Sequence, residues 1–262
     1  MPQIFPKGAN PLARLLVLGL PMMFGSTCVG LAVFYRSSYA TGIDEVVPQP
    51  VAFSHAHHVG QLGIDCRYCH TGVEDSHFAG IPPSKTCMNC HMQMWTSADL
   101  LEPVRKSYRE NTPIVWNRVH NLPHYAYFNH SIHIAKGVGC QSCHGQIDEM
   151  NLTRQTKTLL MEWCINCHRN PQENLRPKSE VFSMVWAPGK PVEGHEQVWK
   201  REDLPNWGQV KEKDGKWVDS RWVQELVGKP RPTNQAELGA KLKDVYGVRD
   251  AVTLTGCSMC HR

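Results

Sequence analysis

Five times in this 262-residue chain, two cysteines stand three positions apart with a histidine directly after the second. The five are Cys66-Arg-Tyr-Cys69-His70, Cys87-Met-Asn-Cys90-His91, Cys140-Gln-Ser-Cys143-His144, Cys164-Ile-Asn-Cys167-His168 and Cys257-Ser-Met-Cys260-His261. Two thiols at that spacing can add to the two vinyl groups of one haem, and the next imidazole then lies under the iron as proximal ligand. Zinc is the competing chemistry, because C-x-x-C pairs combine into four-sulfur sites. A zinc site does not require a histidine after every pair, and five pairs leave one unmatched. A thioredoxin-like dithiol would need one motif in a βαβ setting. The motifs therefore indicate five covalently bound haem c groups, with Cys66, Cys69, Cys87, Cys90, Cys140, Cys143, Cys164, Cys167, Cys257 and Cys260 as thioethers and His70, His91, His144, His168 and His261 as proximal ligands.

Each iron has a sixth position to fill. "FSHAHHVGQLGIDCRYCH" (53–70) and "FNHSIHIAKGVGCQSCH" (128–144) share F-x-H-x-x-H ahead of a haem motif, and a second motif follows each. The chain thus repeats a two-haem unit, over about 53–91 and 128–168, with a fifth motif at 257–261. On a helix, positions i and i+3 share a face and i+2 does not. His55 with His58, and His130 with His133, are the expected distal ligands; His57 aligns with Ile132 and is expected to bind no iron. For the remaining iron the candidates are His120, with His124, His77 and His195 behind it, and the thioethers of Met150 and Met184. A His/Met pair would raise that potential relative to two histidines.

The elements that must hold these groups follow. Leu15–Tyr35 carries no charge over 21 residues, enough for one transmembrane helix. A cleaved signal peptide, ending at Ser38-Tyr39-Ala40, is the alternative, but its apolar core is usually shorter. Lys7 and Arg14 precede the span, and Arg36, Asp44 and Glu45 follow it, which favours a cytoplasmic N-terminus. Residues 1–40 are read as the anchor segment and 41–262 as an extracytoplasmic pentahaem domain, on the periplasmic side of a bacterial cytoplasmic membrane. Cys28, inside the span, is read as a small membrane residue. Residues 175–255 lack a haem motif and are rich in Pro, Gly, Trp and charge. They read as an irregular partner-binding loop with short helices near 219–228 and 235–246, whose aromatics serve an interface or cover haem edges. With little periodic apolar sequence, the domain is expected to wrap its haems in short helices and loops, with little strand and no large side-chain core. The net charge of +4 is too small to indicate nucleic acid. Ten propionates would turn it slightly negative in any case, to about −1 with ferric irons. No C-x-x-C-K haem, Ser/His/Asp triad, P-loop or Rossmann fingerprint marks a catalytic site.

The F-x-H-x-x-H arrangement resembles the class III multihaem cytochromes. That resemblance implies His55 on the haem of Cys66/Cys69 and His130 on that of Cys140/Cys143, and leaves open which haems receive His58 and His133. More of the chain resembles the pentahaem cytochrome c subunit of alternative complex III, through "FSHAHHVGQLGIDCRYCHTGVEDSHFAGIPPSKTCMNCH", "WNRVHNLPHYAYFNHSIHIAKGVGCQSCHG", "MEWCINCHR" and the terminal "GCSMCHR". This implies an electron-transfer subunit, not catalytic alone. Its expected partners are an iron–sulfur subunit, polytopic membrane subunits that oxidise menaquinol and a monohaem cytochrome c subunit. A soluble cytochrome c, a copper protein or a terminal oxidase would be the acceptor. The alternatives are a dehydrogenase that oxidises membrane quinol itself, or a partner of a multihaem reductase.

Overall fold

The computed structural model describes residues 4–6, 8–212 and 215–261, so Lys7 lies outside the described residues. The chain divides into two units, Met1–Glu45 and Val46–Arg262.

The first unit is built on α1 (Ala9–Arg36), followed by the single turn α2 (Ser38–Thr41). Pro21 lies within α1, and no residue of the helix is buried. The uncharged stretch between Arg14 and Arg36 would rise about 31 Å at 1.5 Å per residue, matching a hydrocarbon core of about 30 Å. This one helix is long and apolar enough to cross a membrane.

The second unit begins its helical structure with a π-helical turn, Ala56–Gln61. Then come α3 (Cys66–Cys69), α4 (Ser84–His91), α5 (Glu102–Glu110), α6 (His130–Ala135), α7 (Cys140–His144) and α8 (Met161–Arg169). A hairpin of β1 (Gln209–Lys211) and β2 (Trp217–Asp219), with Val210 opposite Val218, precedes α9 (Arg221–Leu226), α10 (Gln235–Val245) and α11 (Ala251–Leu254). Helices of four to nine residues do not persist alone in water, so packing must hold the motif helices in place. Local chemistry sets where they start: the Asp65 carboxylate accepts the Arg67 N–H at the head of α3, and the Asn129 side chain accepts the Ile132 N–H at the head of α6.

One-residue bookkeeping separates the two F-x-H-x-x-H segments. His58 precedes Cys66 by eight positions, and His133 precedes Cys140 by seven. The second segment closes as α-helices commonly end, with Lys136 N–H bonded four residues back to Ile132 O at 3.0 Å and Val138 N–H five back to His133 O at 2.9 Å. The equivalent bonds in the first reach one residue further, Leu62 N–H to His57 O at 3.1 Å and Ile64 N–H to His58 O at 3.0 Å. The extra residue is absorbed as a π turn. Both segments then leave the helix through a left-handed glycine, Gly63 at φ +66° and Gly137 at φ +80°, which re-aligns them before the cysteines.

Residues 175–255 correct the expectation of an irregular surface loop and of no sizeable side-chain core. The larger buried cluster lies in this region: Leu175, Trp186, Trp199, Leu204, Val223, Leu238, Leu242, Val245 and Tyr246. Two of the tryptophans expected at an interface or a haem edge, Trp186 and Trp199, are 1% exposed. Trp207 and Trp217 do lie at the surface. The expected short helices are α9 and α10. A charged group is sealed into the same core. Arg231 donates to Asp203 at 2.5 Å and stands 3.6 Å from Glu180, which also pairs with His195 at 2.5 Å. With Arg231 and Asp203 side chains fully buried, neither charge has water to fall back on. A smaller cluster of Val51, Met88 and Val104 seats α4 and α5.

Candidate metal centres

Each C-x-x-C-H motif sits on a short helical element: α3, the end of α4, α7, α8 and a single turn over Cys257–Met259. The structure places four of the five motif histidines opposite a second imidazole. His55 faces His70 with ring centroids 6.5 Å apart and planes 9° from parallel. His130 faces His144 at 6.5 Å and 9°. His133 faces His168 at 6.2 Å and 24°, and His58 faces His91 at 6.2 Å and 65°. Two metal–nitrogen bonds of about 2 Å, with about 1 Å from each nitrogen to its ring centre, put opposed imidazoles about 6 Å apart. These four gaps therefore fit one six-coordinate iron each.

The hydrogen bonds point the rings correctly for that task. A ligating imidazole needs its other nitrogen held as a donor, so that Nε2 is a lone-pair donor to the metal. His70 Nδ1 donates to Gly80 O at 2.7 Å, His91 to Met94 O at 3.2 Å, His168 to Leu254 O at 2.9 Å and His261 to Tyr125 O at 3.0 Å. On the facing side, His58 donates to Ser54 O at 2.8 Å, His133 to Asn129 O at 2.7 Å and His130 to His77 O at 2.9 Å. His55 Nδ1 lies 3.0 Å from the Thr153 hydroxyl. Burial keeps several of these rings neutral. His144 is pushed down to about 3, and His55 to about 4, with neighbouring histidines adding to the effect. His130 and His133 move down for the same first reason. Neutral imidazole is the form a metal requires.

Two aromatics complete the arrangement. Phe53 stands edge-on to His55 at 4.9 Å and stacks on His58 at 4.4 Å. Phe128 repeats this with His130 at 4.7 Å and His133 at 4.5 Å. Each wedge fixes the angle between two imidazoles that face different motif histidines. Their recurrence two positions before each first histidine was the available signal. The Ser54, Gly80 and His77 carbonyls had none, because backbone acceptors leave no mark on a sequence, and the Thr153 hydroxyl lies 98 residues from His55.

The other candidates fall elsewhere. His57 is exposed and bonded to Gln61 Oε1 at 2.8 Å. His120 packs edge-to-face on His144 at 4.4 Å, too close for an iron between them, and its Nε2 is buried without a partner. His77 and His124 are exposed, and His195 is taken by Glu180. Met150 and Met184 are buried. Among the described residues, no second imidazole faces His261 as in the other four pairs.

Comparison with known proteins agrees with this geometry. Residues 126–184, which contain the second repeat, match the family of cytochrome c7 and related cytochrome c. A multiheme cytochrome c subunit of a menaquinone reductase, from Nitratidesulfovibrio vulgaris strain Hildenborough, is 28% identical over 143 residues, covering 47% of this chain and 68% of the relative. With these matches, the motifs and the short-helix architecture, the chain carries a multihaem cytochrome c domain that binds haem covalently.

Proposed function

We propose that this chain is a membrane-anchored relay of single electrons in a quinol-linked redox complex, with five haem c groups held on the extracytoplasmic side. The observation that carries the reading is the set of four opposed imidazole pairs at 6.2–6.5 Å. Haem supplies the one-electron Fe(III)/Fe(II) couple. The chain's residues do the rest. The cysteines tether, the proximal histidines ligate from one face, and His55, His58, His130 and His133 close the other. With both axial positions occupied, those irons offer no site to a substrate. The fifth, on Cys257/Cys260, takes a distal ligand other than a facing histidine, for which a methionine thioether is the candidate.

The relative in a menaquinone reductase supports a quinone pool at one end of the pathway. In the finer reading, iron–sulfur and polytopic membrane subunits of an alternative complex III oxidise menaquinol. This chain passes the electrons to a monohaem cytochrome c subunit, and from there they reach a soluble cytochrome c, copper protein or oxidase. The relative's name also favours a second reading, in which electrons run the other way, toward the quinone. Adding menaquinol to the purified full-length chain tests the relay directly. Haems that stay oxidised until the other subunits are present support it, and reduction by quinol alone would make the chain a quinol dehydrogenase.

A further inference from the structure

The five attachment motifs lie in space in a different order from their order in the chain. Within the first repeat, Asn89 of the second motif donates to the Tyr68 hydroxyl of the first at 3.0 Å. His55 and His58, on one turn, face the proximal histidines of those two motifs. Within the second repeat, His130 and His133 join the third and fourth motifs in the same way.

The junction between repeats is a reciprocal clasp. His55 is held by Thr153, nine residues beyond the third motif, with Ala56 N–H bonded to Met150 O at 3.0 Å. His130 is held by the His77 carbonyl, seven residues beyond the first motif, with Ser131 N–H bonded to Ser76 O at 3.1 Å. Each repeat thus supports the leading histidine of the other, which sets the first and third motifs side by side. The last link runs from the fourth motif to the fifth. His168 Nδ1 donates to Leu254 O just ahead of Cys257.

We propose that the stations run Cys87/Cys90, Cys66/Cys69, Cys140/Cys143, Cys164/Cys167, Cys257/Cys260, and that electrons enter and leave at the two terminal motifs. The proposal rests on the haem-ligand reading above. Exposure marks the same ends independently. Of the ten motif cysteines only Cys90 and Cys257 are exposed, one in each terminal motif.

The test uses the full-length haem-loaded chain with Cys28→Ser, so that a single added cysteine can be labelled. A photoreductant is attached through Trp95→Cys, beside the second motif, or through Val252→Cys, beside the fifth; these positions are 67% and 84% exposed. His58→Met, His55→Met, His130→Met and His133→Met, one at a time, each give one further haem a methionine-ligand absorption band, read as the difference from the parental chain, that bleaches on reduction. From position 95 the bleach should arrive in the order 58, 55, 130, 133, and from position 252 in the reverse order. Arrival at 130 before 55 from position 95 overturns the proposed order while leaving the ligands intact. Four variants with parental spectra overturn the ligand reading and the order with it. A second measurement leaves the axial ligands alone. With nitroxides at 95 and 252, Cys257→Ala/Cys260→Ala should weaken haem-induced relaxation at 252 and leave it unchanged at 95. Weakening at both positions contradicts separate ends.

Discussion

The two F-x-H-x-x-H repeats were built from one pattern, and they differ in two places. Their leading pairs, His55–His70 and His130–His144, agree at 6.5 Å and 9° although one segment carries an extra residue. Their second pairs do not agree: His58–His91 is crossed at 65°, His133–His168 only at 24°. The first difference shows where the site tolerates change, because the π turn Ala56–Gln61 took up the extra residue while keeping His55 and His58 three positions apart. The second shows where it does not hold a common value, because the His91 ring is set by its bond to the Met94 carbonyl, three residues on. The partner of His168, Leu254 O, instead comes from 86 residues away.

The comparison breaks most readily at the distal histidines. Replacing His55, His58, His130 or His133 by alanine should convert one haem per variant to high spin or to a new ligand, read by resonance Raman and EPR. The paired variants at 55 and 130 should change to the same degree; a silent variant at either removes that residue from the ligand set. Next in size is the motif-free region. Arg231→Leu would leave buried Asp203 and Glu180 without their cation and should cost about 3–5 kcal/mol in urea unfolding, with haem spectra unchanged. A spectral change there would mean that this core also positions haem.

A smaller effect is expected in the π turn, where a β-carbon on Gly60 would run into the Asp148 carbonyl. Gly60→Ala should cost about 1–3 kcal/mol by overpacking. Ala135→Gly, in the corresponding α-helical stretch of the second repeat, should cost at most about 1 kcal/mol. Equal costs would show that the π turn is not packed against the third motif. The crossed rings should show in the EPR spectrum of the oxidised protein as one low-spin signal more anisotropic than the other histidine-paired haems, since perpendicular imidazoles leave two iron d orbitals nearly equal in energy. Four alike signals would contradict the 65° angle. Smallest of all, His57→Ala should leave every haem low-spin.

What could be read from the sequence follows from how local each interaction is. The C-x-x-C-H motifs were legible because thioether and axial bonds to one haem demand adjacent residues. The distal histidines were legible because duplication repeated their spacing. The π turn was half legible. Eight positions against seven announced an extra residue, but nothing in "VGQLGID" said which turn would absorb it. The crossed angle was hidden in backbone carbonyls. The core of residues 175–255 was hidden for another reason. Trp186, Trp199, Leu204 and Val223 come from separate segments, and the helical face of Leu238, Leu242 and Val245 on α10 does not say what covers it, so no single window shows the whole core.

The central claim is that four irons lie between two histidines and one does not. Near-infrared magnetic circular dichroism of the oxidised full-length protein measures this directly, because bis-histidine and histidine–methionine haems absorb at different energies and their intensities count. Bis-histidine intensity is expected for four haems, with a different ligand pair on the fifth. Bis-histidine intensity for three or fewer would contradict it.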